Sequence, residues 1–113
     1  MATIRYDKLV RDRIPQVIRA SGQDCTIQVL EEAEYLRQLD AKLEEELGEY
    51  LESGSLEELA DLLEVLQAVV GARGWTWAQL EEARAQKARE RGGFAQRLFL
   101  REVTDREGPG EAR

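Results

Sequence analysis

Residues 45–61 read EELGEYLESGSLEELAD, and the Gly54-Ser55 pair within them decides the fold. On the N-terminal side, from about Glu31, Leu36, Leu39, Leu43, Leu47, Tyr50 and Leu51 recur at helical spacing and form a continuous apolar stripe. On the C-terminal side Leu59, Leu62, Leu63, Leu66, Val69 and Val70 form a second stripe, which Gly71 or Gly74 ends. Gly54 stops the first helix. Ser55, with Glu58 three residues later, has capping-box spacing and starts the second. Two amphipathic helices joined by so short a link are expected to fold back as an antiparallel hairpin.

Other elements extend outward from that hairpin. Residues 6–20 open on Lys8, Arg11, Asp12 and Arg13, and Pro15 suits the first turn of a helix that Ser21-Gly22 ends. Residues 25–30 alternate weakly and suggest a short extended piece. Thr76 and Gln79 repeat the capping-box spacing and begin a helix to about Arg91, before Gly92-Gly93. Leu98-Phe99-Leu100 suggests a short packed final element, and the Gly-Pro-rich stretch after it a flexible tail. The expected architecture is all-α, a small bundle of about four helices around a central antiparallel hairpin. It forms one domain over 1–103 with a tail over 104–113, and oligomerisation covers the apolar area that so short a bundle leaves exposed.

Composition narrows the function. A formal net charge of -7 argues against binding a nucleic-acid polymer, whose phosphates are held by excess Lys and Arg. With no histidine in the chain, imidazole catalysis and His-rich zinc sites are excluded. The single cysteine, Cys25, has no basic neighbour and no intrachain partner, so it reads as structural and points to a reducing cytoplasm. No apolar run has the length of a signal peptide or a membrane span.

The acids flanking the turn carry the chemistry. Glu46/Glu49 and Glu58/Asp61 are each spaced i, i+3, so each pair projects from one face of its own helix. At about 100° per residue, Glu46 falls beside the apolar stripe, Glu49 further round the same flank, and Glu45 nearly opposite. Glu58 lies inside the apolar arc of its helix, between the directions of Val65 and Val69, and Asp61 lies at the edge. Burying an unpaired carboxylate costs several kcal/mol, roughly, so Glu58 needs a reason. One reason is the capping box with Ser55; another is a metal. A solvated acidic face is the usual fate of Glu45, Glu46 and Glu49, but neither bland reading explains why semi-buried acids on both helices converge on one turn. Oxygen-only ligands point to Mg2+, with Mn2+ as the alternative, and to a phosphate-bearing partner.

Beyond the turn, the chain resembles the all-α nucleoside triphosphate pyrophosphatases, the MazG-like and phosphoribosyl-ATP pyrophosphohydrolase-like superfamily. Glu45-Glu46-x-x-Glu49 followed by Glu58-x-x-Asp61 resembles its EExxE…ExxD signature. Residues 8–15, KLVRDRIP, resemble the KLVRDxIP opening of one branch, and Lys87 with Arg91-Gly92-Gly93-Phe94 resembles its K…RGGF close. The likeness spans about 6–100. It implies Mg2+-dependent cleavage between the α- and β-phosphates, with Glu46, Glu49, Glu58 and Asp61 holding metal and Glu45 orienting or deprotonating the attacking water. Because the wheel turns Glu45 away from the intrachain core, that role requires it to face a partner subunit or a second metal. Lys87 and Arg91, one helical turn apart, are expected to clamp the triphosphate, with Lys8 and Arg11 next; each has a competing reading as a surface cation paired with an acid. Trp75 and Trp77 read as packing anchors, with base stacking as the alternative.

The expected function is therefore house-cleaning hydrolysis of nucleoside triphosphates by a cytoplasmic homodimer or homotetramer. Hydrolysis of phosphoribosyl-ATP in histidine biosynthesis is the alternative within the enzyme class. A non-catalytic helical module that binds nucleotide or mediates oligomerisation is the alternative outside it.

Overall fold

The computed structural model describes residues 2–106, and within them the chain is all-α, with four helices and no strand. Helix α1 is Ile14–Ala20, α2 is Glu32–Ser53, α3 is Leu56–Ala72 and α4 is Trp77–Arg91. Chain contacts divide it into two compact units, one up to Glu81 and one from Glu82. No described helix is long and apolar enough to cross a membrane.

The hairpin dominates the first unit. Gly54 closes α2 in the left-handed region at φ 63°, where its amide donates to the Tyr50 carbonyl. An L side chain is disfavoured at that φ, which is why glycine ends the helix there. Ser55 begins α3 by accepting the Glu58 amide on its hydroxyl at 3.2 Å. Two linking residues leave α3 no room except against α2, and these helices pack on each other. Leu39 and Val70 are buried in that seam.

The rest of both apolar stripes stays outside it. Leu47, Leu51, Leu56, Leu59 and Leu63 are all exposed, Leu51 at 72% and Leu56 at 81%. Both apolar arcs are wide, and a single helix–helix seam covers only part of each. A single chain thus leaves an apolar face along the hairpin.

The other expectations divide. At the start of α4, Thr76 and Gln79 form a complete reciprocal capping box, at 2.9 and 3.1 Å. Helix α1 is short, with Pro15 in its first turn, and residues 2–13 form neither helix nor strand. Residues 25–30 are irregular, so the extended piece does not pair into a sheet. Trp75 is 58% and Trp77 39% exposed. In the second unit Leu98, Phe99 and Leu100 are irregular and exposed, so the expected packed final element is absent from the described residues. The tail expected over 104–113 lies, from 107 onward, outside the described residues.

Gly54→Ala tests the turn. The added Cβ meets nothing within 4 Å, so its cost is purely conformational. Urea unfolding should show a loss of about 1–2 kcal/mol with the far-ultraviolet dichroism intact.

Candidate metal centre

Helical rise places the acids before any side-chain detail is considered. Measured along the axes from Gly54 at about 1.5 Å per residue, Glu46 stands about 12 Å up α2, and Glu58 and Asp61 about 6 and 10 Å up α3. Glu46 and Asp61 thus face each other at similar heights, with Glu58 about one turn nearer the link. One carboxylate oxygen each from Glu46, Glu58 and Asp61 lies within 4.8 Å of the others.

Burial makes this group unlike a surface acidic face. Glu46 is only 7% exposed, and Glu58 and Asp61 are half-buried. Oε2 of Glu46 and Oε2 of Glu58 are both buried without a hydrogen-bond partner. The Glu58 result resolves the competing capping reading. Its amide is capped by Ser55, but the reciprocal bond is missing, because the Ser55 amide donates to Ser53 Oγ at 3.2 Å. The Glu58 carboxylate is therefore free for another role.

Cations partly balance the cluster. Lys42, one turn before the acids on α2, lies 3.6 Å from Glu46 and 3.4 Å from Glu45. Arg11 donates to Asp61 at 2.6 Å, and Lys8 donates to Glu45 at 3.2 Å. Burial raises the Glu46 carboxyl above its ordinary range, Glu49 beside it and Asp61 add to the rise, and Lys42 opposes it. Burial also pushes Glu45 up, but Lys8 and Lys42 outweigh it and hold that carboxyl below its usual range.

The expected site residues thus fall into three groups. Glu46, Glu58 and Asp61 converge as a ligand set. Glu49 stays exposed beside Glu46 and outside the close trio. Glu45 pairs with Lys8 of the N-terminal segment of its own chain at 3.2 Å, a contact that a wheel of one helix cannot contain. Lys8 and Arg11 hold acids of the signature in this structure. Lys87 and Arg91 are exposed on α4 in the second unit. Lys42 was missed by the sequence reading, although its i, i+3 and i, i+4 spacing to Glu45 and Glu46 is a recognisable ion-pair signal.

A hard divalent cation fits the trio, since all donors are carboxylate oxygens and two buried ones lack partners. No family model matches this chain, and no solved structure matches it. An uncharacterized protein of Mycolicibacterium smegmatis is 57% identical to it over 42 residues, covering 37% of this chain and 43% of the relative. The chain is thus similar to that protein over less than half of its length.

The raised Glu46 group sets a pH dependence. Above its folded pKa the native state holds a charge it has poorly compensated; as pH falls through that value the native state gains a proton before the unfolded one does, and stability rises. Without metal at pH 7, Glu46→Gln should raise Tm by roughly 4–8 °C for each kcal/mol relieved. The advantage should shrink as pH falls through the raised value and be gone below the ordinary carboxylate range, as differential scanning calorimetry across pH would show.

Proposed function

We propose that this chain is a Mg2+-dependent nucleoside triphosphate pyrophosphohydrolase, releasing pyrophosphate and a nucleoside monophosphate. The observation that carries this reading is the convergence of Glu46, Glu58 and Asp61 within 4.8 Å across the hairpin, with one buried carboxylate oxygen each on Glu46 and Glu58 lacking a hydrogen-bond partner. The resemblance of 45–61 and of both flanking motifs to the MazG-like pyrophosphatases supplies the reaction type. Glu46, Glu58 and Asp61 would hold Mg2+ or Mn2+, which would supply neutralisation of phosphate charge and a polarised water.

The chain's own residues divide the remaining work. Glu46, Glu58 and Asp61 hold the cation, and Glu49 completes the acidic rim. Glu45 accepts the proton of the attacking water at Oε1 once that atom is clear of Lys8. It is the resemblance alone that proposes Lys87 and Arg91, and after them Lys8 and Arg11, as cations for the triphosphate. The exposed leucines of the hairpin are covered by a second copy in a homodimer or homotetramer. A lone Cys25 without a disulfide partner suits the cytoplasm.

Incubation with a panel of nucleoside triphosphates and Mg2+ should release pyrophosphate, resolved from orthophosphate by chromatography. Glu58→Ala should lower the rate beyond the roughly 100-fold that outer-shell changes around a metal cost, with helicity retained. Turnover of phosphoribosyl-ATP alone would redirect the substrate assignment. Absence of pyrophosphate from the whole panel would remove the enzyme reading.

A further inference from the structure

Residues 8–11 cross from one helix of the hairpin to the other. Lys8 Nζ meets Glu45 Oε1 on α2 at 3.2 Å, and three residues later Arg11 Nη2 meets Asp61 Oδ1 on α3 at 2.6 Å. Among the described residues, these are the hydrogen bonds that join the N-terminal segment to the hairpin. The segment has no helix or strand of its own, and it bends just before Lys8 at Asp7, a non-glycine residue with φ 45°. A half-open groove of about 390 Å³ lies between residues 9–13 on one side and Leu39, Lys42, Glu46, Asp61 and Val65 on the other.

One of the two anchoring acids belongs to the candidate ligand trio. A cation that takes Asp61 must compete with the Arg11 guanidinium for the same oxygen. Both anchoring pairs are solvent-accessible, with Arg11 and Asp61 side chains 58% and 40% exposed. Exposed pairs of this kind shift an equilibrium by less than about tenfold each, so they hold the segment only lightly.

We propose that residues 8–11 are a cation-released strap: Lys8 and Arg11 serve as tethered counter-ions for the hairpin acids, and a divalent metal binding at Asp61 expels Arg11, frees the strap and widens the groove that it borders. The proposal rests on reading Glu46, Glu58 and Asp61 as a cation site. The strap couples metal loading to access, because the same movement that completes the ligand set widens the space beside it. It also releases two positive side chains at the mouth of that space.

The test combines Mg2+ titration calorimetry with backbone NMR order parameters on the full chain. Without Mg2+, residues 7–12 should be ordered; at saturation their order parameters should fall below about 0.6 while those of α2 and α3 stay near 0.85. Arg11→Gln should bind Mg2+ about fivefold tighter than wild type and lower the order of the segment without metal. Arg13→Gln removes a charge from the same segment but no pair to the hairpin, and should change affinity by less than about twofold. Mg2+ binding with an unchanged segment, or equal gains from Arg11→Gln and Arg13→Gln, would overturn the strap. No Mg2+ binding at all would overturn the cation site and the strap together.

Discussion

Like-charge repulsion across the α2–α3 seam is the constraint around which this structure is arranged. Two unit charges 4.8 Å apart repel by about 3.5 kcal/mol at an effective dielectric of about 20. Three carboxylates at that spacing therefore oppose one another by more than any single exposed ion pair returns. The hairpin nonetheless forces them together, because Gly54 and Ser55 reverse the chain within two residues and leave the facing turns no alternative. Lys42 from the same helix and Arg11 from the N-terminal segment offset part of the repulsion. Neither reaches the unpartnered oxygens of Glu46 and Glu58. A small divalent ion is compact enough to meet all three acids at once, which is what supports the proposed chemistry.

The same hairpin that concentrates charge buries little apolar surface. Leu39 and Val70 alone are buried hydrophobics among the described residues, while the leucines flanking the turn face outward. Full burial of a wholly exposed leucine is worth roughly 1.5–3 kcal/mol, so covering these partly exposed leucines offers some fraction of that at each position to a second copy of the hairpin. Under the proposed assembly, packing would hold the turn rigid and let the repulsion persist without the helices separating.

Much of this was legible in the residues themselves. The ends of α2 and α3, the glycine at the turn and the serine cap followed from helical periodicity and local capping chemistry. The wheel also put Glu46 at the stripe and Glu58 within the apolar arc, and both are drawn into the seam. What escaped was non-local. A wheel of α2 turned Glu45 toward solvent and could not contain Lys8, which arrives from 37 residues away. Capping-box spacing at Ser55 and at Thr76 looked alike, yet the reciprocal bond forms only at Thr76, because Ser53 Oγ takes the Ser55 amide first. Leu98-Phe99-Leu100 read as a packing element by composition alone, and no described partner covers them.

The most direct measurement is crystallographic: soak or co-crystallise the full chain with Mn2+ and collect anomalous diffraction at the manganese edge. The account predicts an anomalous peak bound by Glu46, Glu58 and Asp61, with Arg11 withdrawn from Asp61. Manganese found only at exposed acids away from the hairpin, with Glu46 and Glu58 still unliganded and Arg11 still on Asp61, would contradict it.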